Sequence, residues 1–279
     1  MPVNLPHSVS YSRAMTFQDA YDALLRRWGV PVEQLDLAGT HVNACGPADA
    51  PPLVLLAGHG ATSPVWFTVA PRLAEQYRVY ALDLPGDAGR STATPPSTVE
   101  DLMAWLTGVL DALEIGQAAL CGHSYGTRIA LTYALRHPVR VSRLALIDPT
   151  DCFTGLKPRY VARALPSLLR PSPARTESFL RWETQGLPVD PDWLRLAGLA
   201  AVEPTTRPVL PPRPDVHQLQ TETLVVVADR SKAHNPDQLA RRASAAGASV
   251  VRIETATHHS LPVFHADEVV GALLRAESL

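Results

Sequence analysis

Apolar and polar positions first fall into a readable pattern at residues 16–28, TFQDAYDALLRRW, where apolar side chains recur at helical spacing behind Thr16, a residue able to cap the first turn. Two short segments, Val32–Leu37 and His41–Ala44, read as strands, and a turn-rich GPADAPP follows. From there two periods alternate. Leu53–Ala57 is an unbroken apolar run, as expected of a strand buried on both faces. Helix-like Phe67–Gln76 comes next, then a strand at Val79–Leu82 and a helix over Val99–Leu113. A strand at Ala118–Cys121, a helix at Thr127–Arg136 and a strand at Arg143–Ile147 complete this stretch.

Alternation of this kind predicts a mostly parallel sheet with helices on both faces. It halts at Asp151. Residues 151 to about 218 are rich in Pro, Arg, Leu and Trp, with helical fragments at Tyr160–Leu169, Thr176–Thr184 and Asp192–Leu199 broken by prolines. The pattern then resumes with strand Thr223–Val227, helix Pro236–Ala245, strand Val250–Ile253 and helix Ala266–Ala276. The expectation is one α/β core of about eight strands, residues 1–150 and 219–279, with a helical lid inserted after the sixth strand at 151–218.

Composition adds exclusions. The 279 residues carry 25 basic and 27 acidic side chains, a formal net charge of −2, so bulk electrostatics argue for neither nucleic acid nor an anionic membrane. The expected partner is a small-molecule substrate, and the chain could be a monomer or a dimer. The first fifteen residues lack the basic and apolar regions of a signal peptide, and no apolar run approaches the ~20 residues that span a bilayer. Cys45, Cys121 and Cys152 are an odd, scattered set, which argues against both a disulfide framework and a metal site. A cytoplasmic location is the expectation.

The chemistry centres on AALCGHSYGTR, residues 118–128. Gly122-His123-Ser124-Tyr125-Gly126 is a G-x-S-x-G pattern between a buried strand and a helix. On such a sharp turn the flanking glycines remove Cβ atoms that would clash, Ser124 Oγ projects above the sheet, and the following helix aims its first N–H groups at a developing oxyanion. Together with Gly58-His59-Gly60 after the third strand, Asp83-Leu84-Pro85-Gly86 after the fourth and a His-containing loop after the last, this elbow resembles the α/β-hydrolase superfamily, and within it the esterase/haloperoxidase-like group. The resemblance covers roughly Val32 to Leu279.

That resemblance implies a serine hydrolase without a cofactor. It assigns the oxyanion donors to the backbone N–H groups of Tyr125 and Ala61. The base is expected in IETATHHSLP. Counting forward from the strand favours His258, and counting back from Pro262 and the following helix favours His259, which is the preferred choice. The acid departs from the family pattern, because its usual position after the seventh strand holds Ser231. Asp148, at the end of the sixth strand, is preferred; Asp229 is the alternative, Asp151 a third, and Asp83 and Arg90 are read as structural. A serine at the elbow excludes chemistry that needs a carboxylate nucleophile. The expected reaction is hydrolysis of a small to medium apolar ester, thioester or lactone. The alternatives are a non-hydrolytic lyase, acyltransferase or cyclase of secondary metabolism on the same scaffold, and an inactive ligand-binding protein. Phe153, Tyr160, Leu165, Leu168, Phe179, Trp182 and Trp193 suggest an apolar acyl pocket or packing of the lid. Arg159, Arg163 and Arg170 could meet a carboxylate but fit solvated surface positions better.

Overall fold

The computed structural model describes residues 15–275, so the readings of residues 1–14 and of a last helical turn at Ala276 lie outside it. Helix α1 (Phe17–Arg26) opens with a reciprocal capping box between Thr16 and Asp19, and its apolar positions Phe17, Ala20, Tyr21, Leu24 and Leu25 are buried. Strands β1 (Glu33–Leu37), β2 (Thr40–Cys45) and β3 (Pro52–Leu56) follow.

The helix expected at Phe67–Gln76 is instead a 3-10 turn, Ser63–Trp66, and a single turn α2 (Ala70–Leu73). Pro64 and Pro71 each lie in the first turn of one piece, where a missing N–H costs nothing. β4 (Arg78–Leu82) and α3 (Val99–Ala112) come next, the latter capped by Thr98 and Asp101. Then β5 (Ala118–His123) runs directly into α4 (Tyr125–Arg136), and β6 (Val141–Ile147) follows.

Three helices lie between β6 and β7 (Thr223–Ala228): α5 (Pro158–Leu169), α6 (Pro173–Glu183) and α7 (Pro191–Ala200). Each begins two or three residues, or one in the case of α7, before its expected start. The prolines read as breakers open the helices at their first position, where fixed φ suits the turn. The chain ends with α8 (Pro236–Ala245), β8 (Ser249–Ile253), a short α9 (Leu261–Phe264) and α10 (Ala266–Arg275).

The eight strands form one sheet in the order β1-β2-β4-β3-β5-β6-β7-β8. β1–β2 and β2–β4 are antiparallel and the remaining pairs parallel. Each face of the sheet has its own core: one packs α1, α2, α6, α7 and α10, the other α3, α4 and α8. The chain steps outward from β3 to β4 and then returns past β3 to β5. The connections leaving the C-terminal ends of β3 and β5 therefore depart in opposite directions, as at the crevice where open α/β sheets bind ligands. No described helix is long and apolar enough to cross a membrane.

Candidate active site

Ser124 lies in that crevice, between β5 and α4, with φ 53° and ψ −117°. A non-glycine residue there is strained, and the neighbours show why the turn is nonetheless possible. A Cβ on Gly122 would approach the Gly126 carbonyl carbon to 2.4 Å, and one on Gly126 would come within 2.0 Å of the Leu56 carbonyl oxygen. Only glycines let the elbow sit this close to β3.

Ser124 Oγ is 2.9 Å from His258 Nε2, and His258 Nδ1 is 2.7 Å from Asp148 Oδ2. His258 and Asp148 are fully buried. Asp148 follows β6, the neighbour of β5, at φ 43°. Three further donors meet its carboxylate: Ala228 N–H at 3.0 Å, Ser231 Oγ–H at 2.9 Å and His234 Nε2 at 2.9 Å. Burial alone would raise this carboxyl, but His234 and His258 outweigh it and hold the group well below the ordinary carboxylate range. Ser231, at the position where the family pattern places the acid, hydrogen-bonds the carboxylate that arrives from β6.

The preference between the two histidines is reversed by the structure. His258 faces Ser124, while His259 turns its ring toward Phe179, at 5.6 Å between centroids, and into the cavity. Burial lowers the His259 imidazole to about 4, so it is neutral near pH 7. Counting back from the terminal helix misled because α9 intervenes before α10. A turn at Thr257–Ser260, closed by Thr257 N–H on Ser260 Oγ at 2.8 Å, sends the two rings in different directions.

Asp229 is not in this chain of contacts. Its Oδ1 accepts from Arg252 Nε at 2.7 Å. Asp151 pairs with Arg128 and Arg213. Asp83 is fully buried and accepts from Tyr21, from both the N–H and hydroxyl of Ser63, and from the Arg90 N–H, a structural role.

Two participants carried no recognised signal in the sequence. Glu183, buried at the end of α6, accepts from Thr257 Oγ–H at 2.9 Å, His258 N–H at 3.1 Å and His259 N–H at 3.0 Å. His234, buried beside Asp148, keeps its Nδ1 without a partner among the described residues. Burial would lower its imidazole, but the Asp148 carboxylate outweighs this and raises it. Asp148, His234 and His258 bring three ligand-type atoms within 4.8 Å of one another. Both imidazoles already spend a nitrogen on the carboxylate, so the cluster is a hydrogen-bonded chain as it stands. His123, the variable residue of the elbow, donates from Nε2 to the His258 carbonyl at 2.9 Å, and burial keeps its imidazole well below the usual range.

Of the two expected oxyanion donors, Tyr125 is the first residue of α4, where amides lack an intrahelical acceptor. The Ala61 N–H is engaged, closing a turn on the Gly58 carbonyl at 3.1 Å. Beside them Asp87 accepts from His59 Nδ1 at 3.0 Å and Gly60 N–H at 2.8 Å, which fixes this loop. The cavity over Ser124 has a volume of about 280 Å³. Its walls include Ala61 and Val65 from the core and Ala164, Leu168, Phe179 and Trp193 from the helices between β6 and β7. Leu165, expected to line it, points outward instead.

Residues 53–272 match the model of the alpha/beta hydrolase family. The chain belongs to that family. Among its relatives is the carboxylesterase YbfK of Bacillus subtilis, 32% identical over 179 residues, covering 61% of this chain and 58% of the relative. A pimeloyl-[acyl-carrier protein] methyl ester esterase of Aeromonas hydrophila is 36% identical over 118 residues, 40% of this chain and 45% of that one. The matched segment thus spans about half the length of these curated relatives. Among solved structures, carboxylesterase CesB (YbfK) from Bacillus subtilis superposes with a TM-score of 0.81 at 26% identity, covering 92% of this chain and 96% of that one. Naproxen esterase from the same species gives 0.86 at 24% identity, a likeness of fold, over 98% and 99% of the two chains. This alpha/beta hydrolase therefore shares nearly its whole architecture with solved esterases.

Proposed function

We propose that this hydrolase cleaves small to medium apolar carboxylic esters, thioesters or lactones through an acyl-enzyme on Ser124. The observation that carries the reading is the continuous hydrogen-bonded line from Ser124 Oγ through both nitrogens of His258 to Asp148. In this reading Ser124 attacks the carbonyl carbon while His258 Nε2 takes the hydroxyl proton. Asp148 fixes the tautomer and stabilises the imidazolium. His258 then gives the proton to the departing alkoxide or thiolate, and water repeats the sequence on the acyl-enzyme. The Tyr125 N–H is the firm oxyanion donor. The Ala61 N–H contributes by forking away from the Gly58 carbonyl as negative charge develops on the substrate oxygen. Residues 151–218 act as the lid, and Phe179, Leu180 and Trp193 receive the acyl chain.

The likeness to carboxylesterases and to methyl ester esterases supports ester hydrolysis as the reaction. The test pairs a serine-reactive phosphonate with 4-nitrophenyl esters of graded chain length. Labelling that vanishes in Ser124→Ala, together with turnover of the esters, is expected. Labelling without turnover of any ester would replace hydrolysis by a transferase, lyase or cyclase role, and an unlabelled wild type would remove the covalent mechanism.

A further inference from the structure

Two imidazoles share one carboxylate. Asp148 Oδ2 lies 2.7 Å from His258 Nδ1 and Asp148 Oδ1 lies 2.9 Å from His234 Nε2, with all three side chains fully buried. The proton transfers described above run through His258 and make no use of His234. Ala228 N–H, Ser231 Oγ–H and His234 Nε2 reach Asp148 from one stretch, the end of β7 and the loop behind it. The loop whose Ser231 stands at the family's acid position thus supplies donors to a carboxylate that comes from β6.

The second nitrogens of the two rings are not equivalent. His258 Nε2 is 2.9 Å from Ser124 Oγ and must be bare to take the hydroxyl proton. His234 Nδ1 has no partner among the described residues. A proton added to His258 Nε2 therefore breaks the hydrogen bond from Ser124, whereas one added to His234 Nδ1 breaks none and turns the Asp148 contact into a charge-assisted one. Asp148 and Lys157 are the charged groups acting on His234; Lys157 Nζ is 3.4 Å from the Ser231 carbonyl. Around His258 stand the neutral rings of His123 and His259, the Tyr160 ring, and Glu183, which accepts the His258 N–H. Against the cost of burial, Asp148 and the Asn235 backbone raise the His234 imidazole, and Lys157 opposes them.

We propose that His234 is a positioning residue that accepts the first proton of this cluster at Nδ1 and so keeps His258 free to act as base at lower pH. Two sites that share a carboxylate titrate as a pair, and the first proton disfavours the second. With a cation on Oδ1, Asp148 pulls less strongly on a proton at His258. His234 Nε2–H and Ala228 N–H also hold Oδ1, which leaves Oδ2 turned toward His258. The inference rests on the Ser124 hydrolase reading and adds to it the pH range over which the base works.

The rate at which the phosphonate labels Ser124, followed against pH, tests this without ester turnover. In His234→Gln an amide N–H still donates to Asp148 but the side chain takes no proton. The acid limb of labelling should move up by about one pH unit, so that labelling slows about tenfold below the limb and much less above it. His234→Leu should move the limb as far and, having lost the donor, also lower the rate at high pH. An equal loss at every pH in His234→Gln is the mark of a packing role and overturns the proposal, as does a limb that stays in place or moves down. NMR of the wild type with 15N-labelled histidine covers the case in which neither variant folds. There His234 should become protonated at both nitrogens at a higher pH than His258, and the reverse order overturns the proposal. A wild type that takes no label but shows this order retains the proton site at His234 and fails only the hydrolase reading.

Discussion

Ser124 and Asp148 both hold positive φ, 53° and 43°, a conformation that costs of order 1–3 kcal/mol per residue. Each is fixed by its amide: Ser124 N–H on the Ile147 carbonyl at 3.3 Å, and Asp148 N–H on the Val226 carbonyl at 2.7 Å. Adjacent parallel strands thus impose the strain that aims both side chains at His258. Asn tolerates positive φ, so Asp148→Asn removes the charge with little backbone penalty. It should lower kcat by up to ~10⁴ while Asp229→Asn changes it little, both read by steady-state kinetics. His258→Ala should cost several orders of magnitude in kcat and His259→Ala far less; equal losses would return the base assignment to open choice. The same residues set a pH dependence of stability. His123 and His259 have lowered pKa values in the folded state, so the unfolded chain binds more protons than the folded one as pH falls below their ordinary 6.5. Asp148, depressed in the folded state, contributes stability above its unfolded value of 3.8 that is lost as pH falls through its folded pKa. His234 has the opposite sign: its raised pKa contributes fully below the unfolded value and loses that contribution as pH rises through the folded one. Thermal midpoints should therefore fall from pH 6.5 toward 4, and His259→Gln should flatten part of that fall.

Among the elements, the loop carrying the base is held by the helices between β6 and β7 as much as by the sheet. Glu183 at the end of α6 receives the amides of His258 and His259, and Gln185 just beyond it donates to the Arg230 carbonyl at 2.8 Å. Lys232 donates to the Trp182 carbonyl and lies 4.4 Å from the Trp182 ring centroid. This end of α6 is consequently tied to the loops that follow β7 and β8. Glu183→Ala leaves two amides and the Thr257 hydroxyl without their acceptor. A loss of about 1–3 kcal/mol in denaturant unfolding is expected, with kcat falling more than KM rises. Glu183→Gln should be nearly as damaging, because its amide group would face one of the peptide N–H donors. An unaltered kcat in both variants would show that the loop holds His258 unaided. None of this was legible beforehand, since a Glu followed by Thr in an Arg- and Trp-rich stretch carries no motif and its partners lie some 75 residues away. The start of α5, α6 and α7 was legible only once Pro158, Pro173 and Pro191 are taken as openers of helices.

At the scale of the whole molecule, the eight strands and the elbow were legible because each rests on local pattern: apolar runs at Leu53–Leu56 and Thr223–Ala228, and glycines at 122 and 126. The choice of Asp148 over Asp229 rests on which strands are neighbours. β6 lies between β5 and β7, so a carboxylate at its end reaches the base directly, whereas Asp229 is drawn to Arg252 on β8. Strand order also creates the cavity, because the connections after β3 and β5 depart in opposite directions and leave a floor that the helices between β6 and β7 roof with apolar side chains. That geometry predicts a chain-length profile. Each methylene of the acyl group that enters the space between Val65, Phe179, Leu180 and Trp193 leaves water for an apolar wall, worth ~0.8 kcal/mol or about fourfold in kcat/KM. With 4-nitrophenyl esters from acetate upward, kcat/KM should climb by roughly that factor per carbon, then level or fall once the roughly 280 Å³ are filled. Ala197 and Ala200 of α7 line the same space, and Ala197→Phe should move the optimum to shorter chains without slowing acetate. The comparison separates a pocket from mere packing between these helices and the core. In a pocket the optimum shifts while the acetate rate holds, whereas a packing role makes Ala197→Phe lower the thermal midpoint and slow every ester alike. A flat profile in the wild type would mean that the acyl chain lies elsewhere and that these aromatic side chains serve the fold alone.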